Sequence, residues 1–224
     1  MKEKVILLYV LFSSVVWKSL FNGGVTEFSG DWFWYDFLAG EGKLISAFIL
    51  FGVVPMLIVK FVFCEKLSDY GVRIGEVIRT LRSFCIAFPL VILIAIISGN
   101  SGLFNDVYPF NVGLRRCNLS GGLSYKLFLV HAVLYAGYYW GWEFMFRGFM
   151  QHGLSTKCGI GVAILAQTIP SVMLHFGHPT GEVVGSICAG LAWGYLAYRS
   201  RSLLSGFAQH TTLGIVLDWK LIYG

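Results

Sequence analysis

Long apolar runs alternate with short polar segments from one end of the chain to the other. Most of the runs are long enough to cross, or nearly cross, a bilayer core of about 30 Å as a helix. They predict seven helices, because no alternation of period two that would indicate strands interrupts them. The runs cover residues 5–21, 44–63, 83–98, 123–153, 162–176, 183–198 and 203–217.

The fourth run is too long for one straight crossing. It is expected to tilt strongly or to break near Gly137 or Gly141, and a break could produce an eighth crossing. Pro55 is expected to kink the second run. The segments between the runs are predicted to be loops at 22–43 and 99–122, and a polar segment with a short surface helix at 64–82.

Composition supports an all-α, polytopic transmembrane bundle of about seven to eight helices. Of the 224 residues, 56% are hydrophobic and 13% are charged, whereas soluble domains carry about 25% charged residues. The net charge of +5 comes without a basic cluster interleaved with aromatics, so a nucleic-acid partner is not expected. Residues 1–122 are predicted to supply N-terminal helices and loops, and 123–224 a core, within a single membrane domain.

Loop charge predicts how the chain is oriented in the membrane. If each run crosses once, most of the basic loop residues fall on one side, and the acidic loop 22–43 falls on the other. Cytoplasmic loops carry the excess of Lys and Arg. The sequence therefore predicts a multi-pass protein of the cell membrane with a cytoplasmic N-terminus. The basic residues used are Lys2, Lys4, Lys66, Arg73, Arg79, Arg82, Lys157, Arg199 and Arg201.

Glu143 and Arg147 stand four residues apart in an otherwise apolar stretch. That spacing places both side chains on one helix face, where they can pair. Charged groups inside a membrane helix are costly unless paired, and they often mark functional sites. The pair is therefore either a structural ion pair between helices or a catalytic carboxylate oriented by its arginine.

Histidines are concentrated in the same half of the chain. His175 and His210 lie on separate predicted helices. Together with Glu143, they could activate a water molecule or hold a divalent metal such as Zn²⁺. His178 is a secondary candidate at a helix end. The remaining histidines of the chain are interpreted as packing or interfacial residues; they are His131 and His152.

Three short motifs in this half resemble the CPBP family of membrane proteases, which includes the type II CAAX prenyl endopeptidases and bacteriocin-processing relatives. The family pattern is Glu-Glu-x-x-x-Arg, then Phe-x-x-x-His, then His-x-x-x-Asn. The corresponding segments here are 142–147, 171–175 and 210–214. The resemblance covers about 123–218, and the Trp-Glu-Phe-x-Phe-Arg-Gly form of the first motif is similar to one branch of the family.

The chain departs from the family pattern at three positions. Trp142 replaces the first Glu, which in the family is thought to activate the attacking water with the histidine of the second motif. Ser171 replaces the Phe, and Gly214 replaces an Asn thought to stabilise the oxyanion. Because tryptophan cannot act as a base, either Glu143 takes over with Asp218 or His178 assisting, or the protein does not cut peptides.

The leading hypothesis is an intramembrane endopeptidase acting on a membrane-anchored or prenylated peptide or protein. Glu143 and His175 would activate water, His210 would stabilise the oxyanion or complete a metal site, and Arg147 would orient Glu143. The alternative is a non-catalytic membrane protein of the same fold that binds a partner. A proton-coupled transporter is a third hypothesis, disfavoured because no internal repeat relates the two halves.

Trp142 and Glu143 are adjacent, so their side chains point roughly 100° apart on a helix. In one arrangement Trp142 faces the cavity and Glu143 faces Arg147. In the other, Glu143 enters the cavity and Trp142 packs towards lipid or a neighbouring helix. We expect the second arrangement, because the histidines would otherwise surround a site without a carboxylate from this helix.

Overall fold

The computed structural model describes residues 1–21, 33–119 and 124–224. The described residues form an all-α bundle of eight helices, as the apolar runs predict. Two of the helices contain π-helical or shorter α-helical continuations. The helices are α1 (Lys2–Phe21), α2 (Phe33–Ala47, continuing through Phe48–Val53, Val54–Leu57 and Ile58–Val62), α3 (Val77–Asn100), α4 (Val112–Leu119), α5 (Ser124–Glu143, continuing through Phe144–His152 and Gly153–Cys158), α6 (Ile160–Met173), α7 (Thr180–Ser200) and α8 (Leu204–Tyr223).

The segments predicted to be loops are partly helical. Residues 22–32 lie outside the described residues, but α2 begins at Phe33 and takes in Asp36 and Glu41. These acidic residues are paired: Arg116 contacts Asp36, and the Asn111 Nδ2 donates to Glu41 Oε1 at 2.6 Å. Pairing removes the cost that made a loop the expected structure, and it fixes α4 against α2.

The polar segment 64–82 does not form a separate surface helix. It contains one 3₁₀ turn, Leu67–Tyr70, which ends at Gly71 with a positive φ of 83°. The residues from Val77 onward already belong to α3. The basic end of this segment is therefore the first turns of a long apolar helix.

The long fourth run is one continuous helix that breaks at neither Gly137 nor Gly141. Its hydrogen bonding widens to a π-helical pattern over Phe144–His152. Segments of this kind are rare and occur often at functional sites. The helix is followed by Gly159, whose φ of 78° lets the chain turn into α6, between the fourth and fifth apolar runs.

Two helices in the described part of the chain are long and apolar enough to cross a membrane by length and composition, namely Trp34–Val62 and Val77–Asn100. Many large apolar side chains elsewhere are also exposed, including Leu8, Phe12 and Ile169. Exposed apolar surface on this scale fits contact with lipid.

Close helix contacts hold α7 against α6. A Cβ atom placed on Gly190 would lie 2.7 Å from Thr168 Cγ2, whereas one placed on Gly185, on the same helix, would meet nothing within 4 Å. The Gln167 Nε2 donates to the Gly190 carbonyl at 2.9 Å across this contact. The small residue at 190 therefore permits the close approach of α6 and α7, as small residues do between membrane helices.

We expect Gly190→Ala to destabilise the protein by about 1–3 kcal/mol, because the added methyl group overpacks the contact with Thr168. Gly185→Ala is the matched control, and it should be neutral or slightly stabilising because alanine is the better helix former. Unfolding of both variants in mixed detergent micelles gives the comparison. Equal stability of the two variants would contradict the close packing of α6 and α7.

Candidate active site

A cavity of about 420 Å³ lies within the bundle, lined by residues of α1, α2, α3, α5, α6, α7 and α8 and by the segment between α3 and α4. Aromatic side chains supply much of its wall. Charged groups line several parts of it, including Lys18, Asp36 and Lys43. Most of the predicted site residues that line it come from α5, from α8 and from the segment after α6. The lining residues that matter for the chemistry are Tyr139, Trp142, Arg147, His175, Glu182 and His210.

Glu143, Arg147 and His210 form one buried contact, as the sequence predicts. Arg147 Nη1 lies 3.2 Å from Glu143 Oε1, and both side chains are almost fully buried. The angle at Arg147 does not meet hydrogen-bond geometry, so the contact is an ion pair. His210 Nδ1 lies 3.0 Å from the same oxygen. Since a carboxylate can only accept, the His210 Nδ1–H donates to Glu143 and the Nε2 carries a lone pair.

The expected orientation of the Trp142–Glu143 pair is wrong. Trp142 lines the cavity, and its ring packs edge-to-face against His175 at 5.5 Å and against His210 at 6.2 Å. Glu143 is 1% exposed and is not among the cavity-lining residues. Its carboxylate contacts the Nδ1 atom of His210. Among the described residues no hydrogen bond or ion pair joins Glu143 to His175.

A different carboxylate, that of Glu182, lies beside His175. The His175 Nδ1–H donates to the Ser171 carbonyl at 2.8 Å, which leaves the lone pair on Nε2. His175 Nε2 is 3.9 Å from Glu182 Oε1, and both groups line the cavity. The distance is too long for a direct hydrogen bond, and both atoms are acceptors when His175 is neutral.

Two further groups hold Glu182 in place. Tyr108 Oη donates to Glu182 Oε1 at 2.8 Å, and His178 Nδ1 lies 2.9 Å from the same oxygen. The second oxygen, Oε2, is buried and has no hydrogen-bond partner among the residues that the structure describes. His178, the secondary sequence candidate, therefore contacts the carboxylate of α7 rather than Glu143.

Lys18 of α1 fixes the backbone around His175. Its Nζ donates to the Leu174 carbonyl at 3.0 Å and to the Phe176 carbonyl at 2.8 Å, on either side of the histidine. Carbonyls at the end of a helix have no partner within the helix and attract a cation. The N-terminal half of the chain thus positions a residue of the site in the C-terminal half.

Asp218 does not assist Glu143. It lies within α8, and its Oδ2 accepts a hydrogen bond from the Phe110 backbone N–H and lies 3.1 Å from His131 Nε2. His131 Nδ1 is 2.8 Å from Glu41 Oε1, so a fully buried imidazole bridges two buried carboxylates. His131, interpreted from the sequence as a packing residue, therefore links α2, α5 and α8 through hydrogen bonds.

Gly214 takes the place of the Asn in the third family motif, and Tyr139 fills the space beside it. A Cβ atom on Gly214 would lie 2.5 Å from Tyr139 Oη. The Tyr139 ring lies 4.1 Å from His210, centroid to centroid, and Trp193 packs on His210 at 4.5 Å. The two aromatic rings confine the imidazole.

The residues predicted to share a metal are not arranged as a ligand set. His210 directs Nδ1 to Glu143, and His175 directs Nδ1 to a carbonyl, with Trp142 packed on both rings. Within the described ranges, no group of three or more His, Cys, Asp or Glu side chains could hold a metal ion. The side chains present therefore do not fit a Zn²⁺ site built from Glu143, His175 and His210.

Sequence reasoning missed Glu182, Tyr108 and Tyr139 as site residues. The first had a visible signal, because Glu182 follows His178 by four residues at the start of a helix after Pro179, a spacing that brings both side chains to one face. Tyr108 lies in a segment without helical periodicity, and its contact with Glu182 joins residues 74 positions apart. No local pattern marks such a contact.

Comparison with known proteins adds one finding. Residues 123–216 match the family model of type II CAAX prenyl endopeptidase Rce1-like proteins. Over these residues, which make up less than half of the chain, the chain is similar to the CPBP family of membrane proteases. No curated protein and no solved structure matches the chain.

The matched Rce1-like segment includes Trp142, Glu143, His175, Glu182 and His210, and it ends just before Asp218. The family consists of membrane-embedded endopeptidases of the CAAX type that act on membrane-associated substrates. The helices before residue 123 lie outside the match, although Lys18 and Tyr108 reach the site from them.

Proposed function

We propose that this protein is an intramembrane endopeptidase of the CPBP type in which Glu182 and His175 activate the attacking water. The observation that carries this proposal is the pair of acceptors, His175 Nε2 and Glu182 Oε1, 3.9 Å apart on the cavity wall. A water between them would donate one proton to each acceptor. Its oxygen would then turn a lone pair towards the cavity, as a nucleophile requires.

In this proposal Glu182 takes the role that Trp142 cannot perform. Tyr108 and His178 both contact Glu182 Oε1 and hold that oxygen beside His175, where it would accept from the water. The water attacks the carbonyl carbon of the peptide bond, its proton passes to the Glu182–His175 pair, and the carbonyl oxygen becomes an oxyanion. The apolar wall around the site strengthens each of these charge interactions.

Glu143 and Arg147 orient His210 and do not activate the water. The ion pair fixes the imidazole with its Nδ1–H on Glu143 and its Nε2 available to the cavity. An imidazole held in this tautomer by a carboxylate can take up a proton and pass it to the leaving amine. This assignment replaces the water-activating role that the sequence suggests for Glu143.

The substrate proposed is a membrane-anchored or prenylated peptide that enters from the bilayer. The aromatic wall of the cavity and the outward-facing apolar side chains of the bundle support it. We also propose that the protein is multi-pass with a cytoplasmic N-terminus, on the basis of the loop charges and the positive-inside rule. Lipid is then its permanent environment.

The test is hydrolysis of a panel of membrane-anchored and prenylated peptides by the purified protein in lipid nanodiscs, with wild type compared with His175→Gln. Wild type should release a peptide fragment, and His175→Gln should lower kcat by about 10²–10⁴. His152→Gln is the control, because His152 is on the same bundle but does not line the cavity. Equal rates for wild type and His175→Gln would reject the proposal.

One observation favours a second candidate, a non-catalytic protein that binds a partner. Trp142 fills the cavity side of α5 where the family pattern has a carboxylate. If this reading is right, His175→Gln retains full function in cells lacking the native gene, provided that the variant folds. Loss of function in a folded His175→Gln variant would count against it.

A further inference from the structure

The hydroxyl of Tyr139 occupies space that only a glycine at 214 leaves open. A Cβ atom on Gly214 would lie 2.5 Å from Tyr139 Oη and 2.6 Å from its Cε2. Both residues line the cavity, and the Tyr139 ring packs on His210 at 4.1 Å. The polar end of the tyrosine is therefore held beside the histidine by the absence of a side chain on α8.

Attack of water on a peptide carbonyl creates an oxyanion, and that charge needs a hydrogen-bond donor. The groups assigned to the reaction do not provide one while both histidines are neutral. His175 and His210 each use their single N–H on Ser171 and Glu143, and Glu182 only accepts. The Tyr108 hydroxyl is already committed to Glu182.

Tyr139 can supply the missing donor. Its hydroxyl donates to Tyr135 Oη at 3.2 Å, and rotation of the two hydroxyl groups can reverse the direction of this bond. When Tyr135 donates, the Tyr139 proton is free to turn to the cavity. We infer that Tyr139 is a catalytic residue whose hydroxyl donates a hydrogen bond to the oxyanion of the tetrahedral intermediate. This inference rests on the proposed endopeptidase function.

Tyr139→Phe removes the hydroxyl and keeps the ring against His210. We expect kcat for the cleaved peptide to fall by about 10²–10³ with little change in KM, as happens when one oxyanion donor is lost. Tyr125→Phe is the matched control, because Tyr125 is on the same helix but exposed and away from the cavity. It should retain the wild-type kcat.

A second measurement uses a peptidyl aldehyde with the sequence of the cleaved peptide, whose hydrate mimics the tetrahedral intermediate. Tyr139→Phe should weaken its inhibition by a factor similar to the loss in kcat, and it should leave inhibition by the product peptide unchanged. A purely structural role for the hydroxyl would weaken both inhibitors alike and would overturn the inference.

The variant Gly214→Ala keeps the Tyr139 hydroxyl but displaces it. This variant tests the inference if Tyr139→Phe does not fold. It should also lower kcat, and it should not add to the effect of Tyr139→Phe where both fold, because each change removes the same hydrogen bond. Wild-type kcat in Tyr139→Phe, with His175→Gln inactive, overturns only the role of Tyr139. A wild type that cleaves no peptide overturns the proposed function together with this inference.

Discussion

Glu182→Gln should lower peptide hydrolysis by about 10²–10⁴ while leaving the protein folded, because the amide cannot accept the proton of the attacking water. Glutamine keeps the size of the side chain and its acceptor oxygen for Tyr108, which lies 2.8 Å from Glu182 Oε1. The measurement is kcat in nanodiscs alongside thermal unfolding. Glu76→Gln is the control, since Glu76 is exposed ahead of α3.

The same assay decides between the two carboxylates. If Glu143 were the base, as the sequence suggests, Glu143→Gln would abolish hydrolysis and Glu182→Gln would remain active. If Glu182 is the base, Glu182→Gln carries the catalytic loss, and Glu143→Gln acts through the orientation of His210 and the unpaired Arg147. An active, folded Glu182→Gln variant would therefore contradict the assignment of Glu182 as the base.

The helices of the second half could be predicted closely, because their apolar runs are long and are separated by turn residues such as Gly159. The helices of the first half could not be predicted as closely. Asp36 and Glu41 indicated a loop because unpaired carboxylates are costly within a bundle, but Arg116, Asn111 and His131 satisfy them. These partners lie 70 to 90 positions away in the sequence, and local patterns do not show them.

For the site, the pairing of Glu143 with Arg147 and the approach of His210 could be predicted from spacing and residue type. The rotation of α5 about its own axis, which decides whether Trp142 or Glu143 faces the cavity, could not be predicted. Trp142 is compatible with lipid, with a neighbouring helix or with a cavity wall, so its side chain does not fix the helix face. The widened π-helical segment begins at Phe144, immediately after the pair. Such a change in hydrogen bonding has no clear sequence signature.

Arg147→Ala is expected to cost about 3–5 kcal/mol of stability, because it leaves the Glu143 carboxylate buried without its cation. Glu143 and Arg147 are each about 1% exposed, so solvent cannot replace the missing partner. Reversible unfolding in detergent mixtures, or the yield of folded protein after purification, measures the loss. Arg82→Ala is the control, because Arg82 is exposed and should be within about 0.5 kcal/mol of wild type.

The double variant Glu143→Gln with Arg147→Met separates an unpaired charge from a general loss of packing. It removes both charges and keeps two long side chains in the same space, so it should unfold much closer to wild type than Arg147→Ala does. Its hydrolysis should still be impaired, because a neutral glutamine holds the His210 tautomer less firmly than the carboxylate at 3.0 Å. Equal instability of the single and double variants would show that the ion pair contributes through shape alone, and would remove the argument that the charge of Glu143 is maintained for His210.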